Sequence, residues 1–119
     1  MHIQQNIKQI ENNLKLELGE STFAIHTHIS LLLITPKFTY KIKKAKNLGF
    51  LNFQSLKDRK HFCNEEVRLN KKTAPSIYLE TVELYNIDGA ISFKSNNSEP
   101  IEFAVKMNTF QQNNLLTNC

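Results

Sequence analysis

An α+β domain, with about five strands and two helices, is the fold class this sequence predicts, on three observations. Apolar residues recur at helical spacing in two segments, 2–18 and 55–72. Alternating or β-branched runs fill the stretches between and after them. Turn-forming residues punctuate those runs. At 119 residues the chain is long enough for one domain and too short for two. A composition 40% hydrophobic and 22% charged excludes global disorder, collagen-like sequence and a coiled coil. The longest largely apolar run, Ile29 to Ile34, falls far short of the ~18 residues of a membrane span. The N-terminus lacks the basic-then-apolar order of a signal peptide, so the expected location is cytoplasmic, with no membrane partner.

The elements follow in order. Ile3, Ile7, Ile10, Leu14 and Leu18 stand three or four apart over residues 2–18, an amphipathic packing helix ended by Gly19. Residues 23–34 are β-rich, and Pro36-Lys37 turns the chain. Phe38 to Lys43 alternates as a strand, with Phe38, Tyr40 and Ile42 on one face and Thr39, Lys41 and Lys43 on the other. Ser55 with Asp58 three residues on is a capping pattern, so a helix runs from there to about Lys72, before Pro75. Phe62, Cys63, Val67, Leu69 and Leu56 make its apolar stripe. Glu66 falls inside that stripe and Glu65 at its edge. A carboxylate in an apolar face is costly unless a cation or a hydrogen bond meets it. Residues 77–85 and 90–94 read as strands joined across Asn86 to Gly89, and Ile101 to Val105 as the last strand. The tail from Gln111 is polar.

Charge is uneven. From Lys37 to Lys72 eleven Lys and Arg face three acidic residues, a balance of +8, whereas the remainder carries a balance of −4. Such a segment points to an anionic partner, phosphate first, or to a solubilised surface. Nucleic acid is disfavoured, because Phe50, Phe53 and Phe62 in the basic stretch read as packing positions rather than exposed stacking platforms. Cys63 and Cys119 are too few for a disulfide framework and have no zinc-like spacing. His26 and His28 alternate onto one strand face but have no third ligand nearby, so no metal site is expected. Cys63 and His61 diverge on a helix, which makes Cys63 a core residue rather than a nucleophile.

Four stretches carry a resemblance. They are Thr27-His28-Ile29-Ser30; Tyr40-Lys41-Ile42-Lys43-Lys44 with Gly49-Phe50-Leu51-Asn52-Phe53; Arg59 to Asn70 running into Ala74-Pro75; and Glu102-Phe103-Ala104-Val105-Lys106-Met107. Over about residues 20–110 the chain resembles the opening lobe of the bacterial aminoglycoside-phosphotransferase-like group. These are protein-kinase-like proteins often fused to a P-loop ATPase. The resemblance implies a kinase-like small lobe: a curled antiparallel sheet of about five strands, one main packed helix and an N-terminal helix. Its divisions would be an N-terminal helix at 1–20, the lobe at 21–110 and a polar tail at the hinge position, 111–119.

In kinase-like enzymes a strand lysine holds the α/β-phosphates and is held by a helix glutamate. The resemblance gives the lysine role to Lys41, with Thr39 over the base, or to Lys43. Placing it at Lys43 would put charged Lys41 against the adenine, so Lys41 is preferred, with Lys43 a neighbouring phosphate or surface charge. Glu66 is preferred over Glu65 as the helix partner, since Phe62 and Leu69 flank it on the inward face. Backbone around Met107 would belong to the hinge. The alternative for both lysines is an edge-strand charge that deters aggregation, and for Glu66 a pair with a cation on its own helix.

No glycine-rich phosphate loop and no Walker pattern are present, and Asp58 and Asp88, the only aspartates, sit at a helix start and in a turn. No catalytic residue is therefore assigned. The expected function is an incomplete kinase-like nucleotide-binding lobe, inactive alone, from a split or truncated phosphotransferase. The alternative is a non-catalytic interaction protein, a pseudoenzyme remnant. ATP and Mg²⁺ are implied only for a complete domain, and no tightly bound cofactor is expected. Partners would be a large lobe or another protein in trans, or a second copy, through an apolar patch at Phe103, Val105, Met107 and Phe110.

Overall fold

The computed structural model describes residues 5–49 and 52–109. Ile3, Phe50, Leu51, Phe110, Cys119 and the tail at 111–119, on which sequence readings fall, lie outside them. The first helix, α1, spans Ile7–Leu18. The Asn6 side chain caps it by accepting the Gln9 N–H at 3.1 Å. Gly19 ends it at φ 110°, a left-handed value that a side chain resists, and donates its N–H to Lys15 O. Six strands follow with one helix among them: β1 Phe23–His26, β2 Ser30–Ile34, β3 Phe38–Lys43, α2 Leu56–Thr73, β4 Tyr78–Ile87, β5 Ala90–Ser92 and β6 Glu102–Asn108.

The sheet is antiparallel and curled, in the order β1-β2-β3-β6-β4-β5. The first three strands form a meander whose register follows from its tight connections. At the first, Thr27 Oγ1 accepts the Ser30 N–H at 2.9 Å; at the second, Thr35 Oγ1 accepts the Phe38 N–H at 2.9 Å. From β3 the chain crosses through α2 to β4, and β6 then fills the space between β3 and β4. The count exceeds the expected five by one because the stretch 23–34 folds back at Thr27–Ile29 into two strands, while the strand read at 90–94 shortens to the three-residue β5. It pairs with the end of β4 across a turn where Asp88 and Gly89 both have positive φ.

Strand alternation divides the side chains between two layers. On one face Leu31, Leu33, Tyr40, Ile42, Leu84 and Ala104 close over Ile10 and Leu14 of α1. On the other, Phe103 and Val105 pack beneath Cys63 and Val67 of α2, with Leu56, Tyr78 and Met107 at the margin. Two sequence readings are corrected here. Leu69 is 52% exposed and lies outside the stripe; Arg59, 3% exposed, takes an inward position instead. Phe103 and Val105 are 4% and 0% exposed within the chain's own core, so they form no open patch. The last strand continues to Asn108, and Met107 pairs in the ladder with Thr39 on one side and Tyr78 on the other. Among the described residues no helix is long and apolar enough to cross a membrane.

Candidate functional site

The site lies beside α2, which packs over β4 and β6, where long side chains from the neighbouring β3 reach the helix. Period-two alternation sends Thr39, Lys41 and Lys43 to the α2 side of the strand. Ser55 starts the helix by accepting the Asp58 N–H at 3.0 Å, and from that start Arg59, Cys63, Glu66 and Val67 share, by helical periodicity, the face toward the sheet. Glu66 therefore meets the strand. Its Oε2 accepts from Lys41 Nζ and its Oε1 from Lys43 Nζ, each at 2.7 Å. Tyr78 on β4 donates its hydroxyl to Oε2 at a longer 3.4 Å. One carboxylate thus faces two ammonium groups, and the cluster keeps an excess of one positive charge.

Burial by itself would raise the Glu66 pKa. The hydrogen bonds and charges of Lys41 and Lys43 together outweigh it and hold the carboxyl below its ordinary value of 4.5. A carboxylate that is easier to ionise in the folded state stabilises the fold at pH above its unfolded value, and that stabilisation is lost as pH falls through the folded value. The stability gap between the wild type and Glu66→Gln is therefore expected to be full at neutral pH and to close on acidification below 4.5. Urea unfolding across that range checks it. A gap that stays constant, or widens in acid, contradicts the pairing.

A second ion pair, which the sequence reading missed, braces the same helix. Arg59 Nε donates to both oxygens of Glu102 on β6, at 3.0 and 3.1 Å. Its Nη1 donates to the carbonyls of Phe53 and Gln54 in the segment before α2. Glu102, 1% exposed, also accepts from Gln5 Nε2 at 2.8 Å and from the Phe103 N–H at 3.1 Å. Every charge in this group is met, as burial demands. It ties the start of α2 to the sheet two turns before Glu66 and so fixes the depth at which Glu66 sits. The available signal was the spacing of Arg59 from Cys63 and Glu66.

The remaining sequence assignments separate. Lys43 is the more buried of the two lysines, its side chain 8% exposed against 28% for Lys41. This corrects its reading as a surface charge. Its Nζ also lies 5.3 Å from the centre of the Phe53 ring. Glu65 points away from the sheet and pairs with Arg68 at 2.7 Å. Thr39 is half-buried on the site face and shares a 2.7 Å hydrogen bond with Thr109. His26 ends β1 and meets Glu11 of α1 at 2.6 Å, whereas His28 sits in the following turn, where strand alternation no longer applies. Among the described residues no group of His, Cys, Asp or Glu is arranged to hold a metal. Burial pushes the Cys63 thiol up to about 12, which leaves it protonated and unreactive in the core. Two open grooves lie elsewhere: about 420 Å³ along β4 beside Glu80 and Glu83, and about 560 Å³ beside Leu16 and Gly19. Neither is lined by Lys41, Lys43 or Glu66.

Comparison with family models, curated proteins and solved structures returns no match to this chain.

Proposed function

We propose that this chain is a nucleotide-gripping lobe of the protein-kinase-like type, in which Lys41 holds the phosphates and Glu66 holds Lys41. The observation that carries the reading is the 2.7 Å bond from a lysine on the third strand to a glutamate on the helix that follows. Kinase-like enzymes build their phosphate grip from that pairing. The unbalanced positive charge beside Glu66 supports it, since an anion arriving there meets no net repulsion. Thr39, two residues before Lys41 on the same face, is the side chain that would lie against the base.

Phosphoryl transfer also needs a catalytic aspartate and ligands for Mg²⁺. Asp58 lies in the first turn of α2 and Asp88 in the β4–β5 turn, and neither is placed for that work. On this reading the chain is inactive alone, and a second lobe supplies those groups, on the same polypeptide or in trans. A different feature favours the alternative, a non-catalytic interaction protein: Phe23 and Ile25 share one face of edge strand β1 and are 51% and 43% exposed.

A lobe that makes only part of the contacts to a nucleotide binds it weakly. We expect ATP to bind at about millimolar affinity or weaker, near −4 kcal/mol, with no hydrolysis. Amide chemical shifts recorded during an ATP titration should move at Thr39, Lys41 and Glu66, and Lys41→Met should abolish the movement. Shifts on another face, or none at tens of millimolar ATP, overturn the proposal; micromolar affinity overturns the view that half the grip is missing.

A further inference from the structure

Glu66 has two oxygens and two lysines, and the lysines are not equivalent. Lys43 bonds Oε1 from a side chain 8% exposed, while Lys41 bonds Oε2 from one 28% exposed. Lys43 is also confined on other sides. Its carbonyl accepts from Gln5 Nε2 at 2.8 Å, and its ammonium faces the Phe53 ring. Among the described residues, Lys41 Nζ has Glu66 as its single hydrogen-bond partner.

We propose that Lys43 is a fixed counter-ion for Glu66, a positioning residue that frees Lys41 to leave the carboxylate and bind a phosphate-class oxyanion. The inference rests on the phosphate-gripping reading above and assigns a role that reading leaves open.

In a simple Lys–Glu pair, an incoming phosphate competes with the carboxylate for the ammonium. Lys41 would have to abandon a partly buried carboxylate, and that loss is subtracted from binding. Here Glu66 stays neutralised through Oε1 by Lys43, and Oε2 keeps the Tyr78 hydroxyl at 3.4 Å as a donor. The deeper lysine remains with the glutamate and the shallower one moves to the ligand. This geometry also explains why two lysines stand two residues apart on one strand face and share one acid.

Inorganic pyrophosphate is the probe, and the first readout needs no variant. In lysine side-chain ammonium NMR of the wild-type chain, the Lys41 signal should move with pyrophosphate while the Lys43 signal stays in place. The variants extend the test. Lys41→Met should weaken pyrophosphate binding by about tenfold or more, the scale of a charge-assisted hydrogen bond. Lys43→Met should also weaken it by about tenfold, because Glu66 then holds Lys41 in competition with the ligand. Adding Glu66→Gln to Lys43→Met removes that competitor and should return affinity to within about threefold of wild type.

If Lys43 touched the ligand directly, its ammonium signal would move with that of Lys41 and the double variant would stay weak. Either result overturns this inference and leaves the phosphate-gripping reading standing. If no lysine signal responds to pyrophosphate, that reading falls and the inference with it.

Discussion

Replacing Arg59 by Met is expected to cost about 3–5 kcal/mol, because it removes one partner of a buried ion pair and leaves the other charge uncompensated. Against the roughly 5–15 kcal/mol that holds a typical domain together, this is the larger of the two stability effects foreseen here. Glu102, 1% exposed, would lose both bonds from Arg59 Nε and, among the described residues, keep those from Gln5 and the Phe103 N–H. The Phe53 and Gln54 carbonyls would lose their guanidinium donor as well. Three comparisons isolate the cause. Arg59→Lys keeps the charge but cannot serve Glu102 and two carbonyls with one planar fork, so it should fall between wild type and Met. Arg59→Met with Glu102→Gln removes both charges and should recover part of the loss. High salt should change little, since the pair is buried. Urea unfolding measures all three. A loss under about 1 kcal/mol for Arg59→Met would place the pair among exposed ones and contradict the burial described here.

The parts of the fold legible in the sequence are those set by local rules. Ser55 with Asp58 located the start of α2 to the residue, and alternation in Phe38–Lys43 separated Tyr40 and Ile42 from Lys41 and Lys43 correctly. Glu66 also faces inward, as its place on the wheel implied, although one reason for that reading does not hold. Leu69, expected on the inward face, is exposed, while Arg59, which the apolar stripe does not include, lies inward. A wheel that admits charges would have shown Arg59, Cys63, Glu66 and Val67 as one face. It would not have found Glu102, which is 43 positions away along the chain and reaches Arg59 only because β6 lies beneath α2. Depth was illegible for the same reason. Period two says which side Lys43 takes, but how far it sinks depends on α2 and the Phe53 segment closing over the end of β3. Burial of Phe103 and Val105 was missed likewise, because the packing partner of β6 is a helix from an earlier part of the chain.

Glu66→Ala is expected to cost about 3 kcal/mol, and its loss should respond to salt and anions where that of Arg59→Met does not. Removing the carboxylate leaves Lys41 and Lys43 side by side, each having been 2.7 Å from an oxygen of the same group. With no carboxylate between them the two ammonium groups repel, so the lysines would be driven apart and α2 loosened from the sheet. Lys41, the more exposed, can turn toward solvent; Lys43 cannot without uncovering Phe53. Raising ionic strength should therefore recover part of the loss by screening, and Lys43→Met added to Glu66→Ala should recover more by removing the buried cation. Pyrophosphate provides the sharper discrimination. A ligand that binds the folded chain alone stabilises it in proportion to the logarithm of its concentration over its dissociation constant. With two unpaired ammonium groups in place of an excess of one, Glu66→Ala should bind pyrophosphate more tightly and gain more stability from it than the wild type does. Thermal unfolding with and without pyrophosphate, at matched ionic strength, reads this directly. Equal gains in both proteins would mean that the anion does not meet the lysines that Glu66 holds.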